Sequence, residues 1–271
     1  MSIPAKTDDV AEIREVWADN LEAEIAVIQE IVDQYPFVAM DTEFPGVALK
    51  PVCENFKNNA DRNYQKLRAN VDVLHLIQVG LTFSDAAGNL PPSPSGGGRR
   101  CIWQFNFREF DADRDVANPD SVELLRRSGI DFKKNRERGV DAFRFAELLM
   151  SSGVVLNDSV QWIAFHGAYD FAYLLKILTW RSLPETTGGF LELVRIFFPI
   201  VYDIKHLMRY CNNLYGGLNN VAEQLGVERI GVCHQAGSDS LLTVRVFWRL
   251  KEKYFDGSIE RYAGLLYGLV T

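Results

Sequence analysis

An apolar run that ends in two acids is the tightest constraint on how this chain can fold. Phe37 to Glu43 (FVAMDTE) reads as a buried β-strand. Strand alternation puts Asp41 and Glu43 on one face and Val38, Met40 and Thr42 on the other. Two carboxylates side by side at the end of such a strand are costly unless a cation or a hydrogen-bond donor compensates them.

The surrounding pattern is mixed. Leu21, Ile25, Ile28 and Val32 form the stripe of an amphipathic helix that starts after Asn20, a residue type suited to an N-cap, and ends at Pro36. Val71 to Phe83 and Cys101 to Phe107 read as two further strands, joined by the Pro-, Gly- and Ser-rich stretch DAAGNLPPSPSGGGRR. That stretch is long for a hairpin turn, so a mobile tip is expected. From about residue 118 helices dominate: SVELLRRSG and DAFRFAELLMSSG, each ending at a glycine, then QWIAF leading into AYDFAYLLKILTW. IVYDI followed by KHLMRYC repeats the strand–helix order, NNVAEQLG is a short helix, and GSDSLLTVRVFWRLKEKYF is a long one. Three strands followed by alternating strands and helices predict an α/β fold around a mixed sheet. At 271 residues the expectation is one domain over residues 1–271.

Three more residues carry chemistry. Asp170 falls in the first turn of a helix, where the helix dipole stabilises its charge. Asp239 occupies the same place in the last long helix, with Ser238 as the expected N-cap, and His234 lies five positions before it. Taken singly, each fits a capping or loop role. Taken in order, Asp41, Glu43, Asp170, His234 and Asp239 have the chemistry of a two-metal phosphodiesterase site. Two divalent cations about 3.5–4 Å apart can clamp a scissile phosphate. Such hard ions need oxygen ligands, and a neighbouring imidazole can take the proton of an attacking water.

Composition narrows the alternatives. The polar, acidic start lacks an apolar signal core, so secretion is not expected, and no run approaches the roughly 20 apolar residues of a membrane span. The four cysteines (Cys53, Cys101, Cys211, Cys233) include no CxxC pair, which argues against a zinc site or disulfide framework and for inert thiols in a reducing compartment. A net charge of −7 argues against a protein that grips nucleic acid through a broad basic face. It leaves room for a nuclease, because bound dications reverse the local field. The run Lys133 to Arg138 reads as an ordinary solvated segment.

The residues and their flanks resemble the DEDD-type 3′→5′ exonucleases of the histidine subclass. More closely, they resemble the CAF/Pop-type deadenylases, catalytic subunits of the Not-scaffolded mRNA deadenylation complex. FVAMDTEFPGV, NVDVLHLIQVGLTF, WQFNF, LLRRSGIDFKKNRERGV, FHGAYDF, FFPIVYDIKHLM and HQAGSDSLLT carry the likeness, which spans about residues 10–268. DTEFPG and HQAGSDSLLT are the specific pair. The resemblance implies an RNase H-like fold, Asp41, Glu43, Asp170 and Asp239 as ligands of two Mg²⁺ or Mn²⁺ ions, and His234 as general base. It also implies single-stranded poly(A) RNA as substrate, a Not-type scaffold and a second deadenylase subunit as partners, and a cytoplasmic and nuclear location. FHGAYDF departs from the family in having Gly167-Ala168 where Ser-Gly is common, which touches no ligand. Phe44, beside Glu43, and His166, ahead of Asp170, are candidates for contacting RNA, with packing or local hydrogen bonding as the alternative. Another DEDD-type RNA or DNA exonuclease, or an adaptor subunit, stays open as a rival reading.

Overall fold

The computed structural model describes residues 11–51, 56–256 and 258–270; Cys53 and the acidic start lie outside them. In chain order the elements are β1 (Ala11–Val16), α1 (Leu21–Ile31), β2 (Phe37–Glu43), α2 (Asn59–Val71), β3 (Gln78–Ser84), β4 (Arg100–Asn106), α3 (Pro119–Arg127), α4 (Phe132–Arg138) and α5 (Ala142–Met150). Then follow β5 (Gln161–Ala164), α6 (Ala168–Thr179), α7 (Thr187–Phe197), β6 (Ile200–Asp203), α8 (Ile204–Leu207), α9 (Leu218–Leu225) and α10 (Ala236–Tyr254). The strands form one sheet in the order β1-β4-β3-β2-β5-β6. β3 runs antiparallel to β2 and β4, while the β1–β4, β2–β5 and β5–β6 pairs are parallel. No helix among the described residues is long and apolar enough to cross a membrane.

β2 shows how the sheet divides two apolar layers. Val38 and Met40 pack with α1, α2, α5, α6 and α7, and Phe37 and Ala39 pack with α8, α9 and α10. Asp41 and Glu43 continue the Phe37–Ala39 face toward α10, and Thr42 continues the other face toward α6. The predicted strand bounds match those observed.

Several expectations need correction. The stretch from Val71 to Phe83 is not one strand. Val71 closes α2, and the strand begins only at Gln78. α2 exists because Asn58 caps it by accepting from the Asp61 amide and because Ala60, Tyr64, Leu67 and Val71 bury one stripe. α7 and β1 also went unread. β1 lies at the sheet edge, held by Arg14, which donates to both carboxylate oxygens of Glu24 at 2.7 and 2.6 Å. Trp103 adds a 2.9 Å bond to the same buried acid. Asn20 does not cap α1; its side-chain oxygen accepts from the Trp17 amide. Lys133 to Arg138 lies within α4, whose N-cap is Asp131 and whose buried side is Phe132 and Asn135. The Pro/Gly-rich loop folds back on β1, where the Ser93 hydroxyl donates to Glu12 at 2.6 Å.

One close approach fixes the functional end of the sheet. Gly80 on β3 faces Asp41 on β2, and a Cβ at Gly80 would lie 1.9 Å from the Ala236 carbonyl oxygen. The first turn of α10 thus rests on bare β3 backbone. Gly80→Ala is expected to cost roughly 3 kcal/mol or more by overpacking, read as a lowered urea midpoint with an unchanged slope.

Candidate active site

Two structural halves meet at the C-terminal end of β2. One is the strand end carrying Asp41 and Glu43. The other is the start of α10 with the loop before it. The ligand atoms of Glu43, His234 and Asp239 lie within 4.8 Å of one another. Asp239 sits in the first turn of α10, and the Ser238 expected to cap that helix lies inside it, with its hydroxyl donating to the Ile230 carbonyl. His234 has a left-handed backbone, φ 62°, uncommon for a residue with a Cβ. That conformation aims its amide at Asp239 Oδ2, 2.9 Å away, locking the histidine loop to the carboxylate it precedes.

Asp170 arrives from the other side of the sheet. Pairing between β2 and β5 stops at Ala39–Ile163, while β2 continues to Glu43. The start of α6 fills the gap, and the Thr42 hydroxyl donates to Asp170 Oδ1. Thr42 therefore does not simply face away from the acids, as the alternation suggested; it holds the fourth carboxylate against the strand end.

The cluster is short of positive charge. Burial and the neighbouring charges of Asp239, Asp170 and Glu43 push the Asp41 carboxyl well above the usual range. Glu43 is raised by burial and by Asp239 and Asp170. Burial lifts Asp170 to about 7 against the hydrogen bonds from Thr42. The counter-charge is Arg229, which contacts Asp239 Oδ1 at 2.6 Å, donates to the Ser238 hydroxyl at 2.8 Å and is anchored by Asn219. Four hard oxygen donors and an imidazole match the preferences of Mg²⁺ and Mn²⁺. Their unrelieved repulsion is the deficit that dications would remove.

A cavity of about 570 Å³ opens on these groups, with Asp41, Glu43, Arg229, His234 and Asp239 in its wall beside Phe165, Leu218, Asn219 and Asn220. Phe44 is engaged elsewhere, stacked on Tyr169 at 5.2 Å and tilted against Tyr173 at 4.9 Å. His166, also left-handed at φ 62°, donates its amide to buried Asp203 and sets its ring edge-on to Tyr267. Asp203 accepts from the Tyr267 amide as well. Sequence reading missed Thr42, Arg229, Asn219, Phe165 and Asp203. Only Thr42, flanked by the two acids, stood where a local signal pointed.

The chain matches the model of the CAF1 family ribonucleases over residues 16–148, the segment that holds Asp41 and Glu43. It is 61% identical to the probable CCR4-associated factor 1 homolog 7 of Arabidopsis thaliana, over 97% of this chain and 94% of that one. This chain belongs to the CAF1 family of ribonucleases. It is 47% identical to the poly(A) ribonuclease pop2 of Schizosaccharomyces pombe, over 99% of this chain and 78% of that one. A solved structure of S. pombe Pop2p with Mg²⁺ and Mn²⁺ bound superposes at a TM-score of 0.89, with 49% identity over 95% of this chain and 99% of that one. The yeast CAF1 co-crystallised with the NOT1 MIF4G domain gives 0.79, at 36% identity over 98% of this chain and 100% of that one. This CAF1-family chain thus has the RNase H-like mixed α/β fold that its family resemblance implied.

Proposed function

We propose that this CAF1-family chain is a poly(A)-specific 3′→5′ exoribonuclease that shortens mRNA tails and releases 5′-AMP. The observation that carries the reading is the convergence of Asp41, Glu43, Asp170, Asp239 and His234 from both faces of the sheet onto one strand end. Likeness to a poly(A) ribonuclease supplies the substrate.

Asp41, Glu43, Asp170 and Asp239 would hold two divalent cations, Mg²⁺ or Mn²⁺, which supply Lewis-acid chemistry at the scissile phosphate and its attacking water. His234 takes the proton of that water; its ring lies beside Glu43 and Asp239, and the hydrogen bond its backbone N–H donates to Asp239 keeps it there. Thr42 keeps Asp170 turned toward the strand end. Arg229 orients Asp239 from the side away from His234, since the two donors use different carboxylate oxygens. Phe165 and Leu218 offer an apolar wall for the terminal base, and Asn219 and Asn220 line the same cavity with amides. Water adds to the phosphorus with its proton passing to His234, the P–O3′ bond breaks, the ribose 3′ oxygen takes a proton from solvent, and the tail shortens by one nucleotide.

The whole chain acts as one catalytic unit in this reading. It works in a deadenylation complex with a Not-type scaffold, by analogy with the CAF1–NOT1 complex, and with a second deadenylase subunit, the partner that the family resemblance implies. The cytoplasm and nucleus are the proposed compartments. The test compares 5′-labelled RNAs ending in oligo(A), oligo(U) or oligo(C), and single-stranded DNA, with Mg²⁺ and with EDTA. Preferential, EDTA-sensitive AMP release from oligo(A) is expected. Equal rates on all tails would make this a general DEDD-type exonuclease, and no release at all would make it an adaptor.

A further inference from the structure

The start of α10 lacks the usual N-cap. Gln235 holds the N-cap position and makes no capping bond of its own. The free amides are met from the sheet. Ala236 N–H donates to Gln78 Oε1 on β3 at 3.2 Å, and Gly237 N–H to Gln104 Oε1 on β4 at 2.8 Å. Their side-chain amides point into one ring. Gln78 Nε2 donates to Asn106 at 2.7 Å and to Gln235 Oε1 at 3.1 Å. Gln104 Nε2 donates to Gln235 Oε1 and to Glu15 Oε1, both at 2.9 Å. Asn106 closes the ring by donating to Glu15 Oε2 at 2.6 Å, and Gln235 Nε2 reaches the Ser128 carbonyl at 2.8 Å. Gln78, Gln104 and Asn106 are almost wholly buried.

Such a network is expensive unless complete, because each unpaired buried amide costs its desolvation. Here every side-chain N–H pair of Gln78 and Gln104 is used, and reversing either amide would set donor against donor at α10. The orientation of each glutamine is therefore fixed by its neighbours. The network also stands at a mechanical joint. His234 immediately precedes Gln235, and Asp239 follows one turn later, whereas Asp41 and Glu43 belong to β2. A tilt of the α10 start would move one half of the site relative to the other.

We infer that Gln235, with Gln78 and Gln104, is a positioning device that sets Asp239 and His234 against Asp41 and Glu43. None of the three is a ligand; Gln78 and Gln104 cap the helix start, and Gln235 holds both of their amides in the capping orientation. The inference rests on the metal-site reading above, so its test begins with metal binding in the absence of RNA. Mn²⁺ affinity is measured by calorimetry for the wild type, Gln235→Ala and Gln78→Met, alongside melting curves and the kcat and KM for oligo(A) RNA. Orienting partners of metal ligands typically contribute about 10–100-fold, and a loss of that size in Mn²⁺ affinity and in kcat is expected, with KM changing less than about threefold. Thr82→Val is the control. It breaks a buried 2.8 Å contact between β3 and Ser240 on α10 without touching the capped amides, so it should lower the melting temperature and leave Mn²⁺ affinity unchanged. If wild-type protein does not bind Mn²⁺, the metal-site reading itself fails. If the wild type binds and both glutamine variants bind equally well, or if Thr82→Val weakens binding as much, the positioning role is wrong.

Discussion

Asp41→Ala lowers the rate of AMP release from oligo(A) RNA by at least about 10³-fold, corresponding to roughly 4 kcal/mol of transition-state stabilisation. Three observations lead to that expectation. Asp41 lies near the end of β2, a strand held by β3 on one side and by β5, up to Ala39, on the other. It lies in the cavity wall with Glu43, His234 and Asp239. Its carboxyl carries the combined repulsion of Asp239, Asp170 and Glu43 on top of burial, as expected of a group at the centre of the cluster. His234→Ala should be milder, near the lower end of the roughly 10²–10⁴-fold that a general base contributes, because the acidic cluster stays intact. Single-turnover assays at saturating Mg²⁺ separate the two. A near-normal rate for Asp41→Ala would exclude the assignment.

Metal removal should make the protein's stability fall as pH rises. Asp41, Glu43 and Asp170 all have folded-state pKa values raised above the unfolded range, so the folded chain binds protons more tightly than the unfolded chain. The loss begins above the usual carboxylate range near 4 and, for Asp170, levels off once pH passes its value of about 7. At pH 8 that one residue costs of order 4 kcal/mol in the metal-free protein. Melting curves in EDTA between pH 5 and 8 should therefore drop by several degrees, and Mn²⁺ should restore the loss by binding only the folded form. Asp170→Asn keeps an oxygen for the Thr42 hydroxyl but removes the charge. It should melt higher than wild type in EDTA at pH 8 and gain less from Mn²⁺. A metal-free melting temperature that is flat or rises across this range would contradict the repulsive cluster.

Much of the site was legible because its signals are local. The alternation in FVAMDTE marked the strand and its acidic end, and Asp170 and Asp239 stand where helix starts accept acids. Long-range features were not legible. β1 pairs with a strand about 90 residues away, and its hold on the fold runs through Arg14 and Glu24, an ion pair with no sequence spacing to announce it. α2 hides its buried stripe among polar residues, and the apolar alternation after it imitates a strand. The approach of Asp170 through the gap between β2 and β5 depends on where a ladder stops, which no motif records. Arg229 looked like any charged loop residue until the fold set it on Asp239.

The division of the site between β2 and the start of α10 also has a meaning during synthesis. Asp41 leaves the ribosome about 200 residues before Asp239, a delay of roughly 10–40 s at ordinary elongation rates. Throughout that interval the growing chain holds the first acids but lacks the helix that completes them. A nascent copy of this chain therefore has no complete acidic cluster until Asp239 has emerged and α10 has docked on β3 and β2.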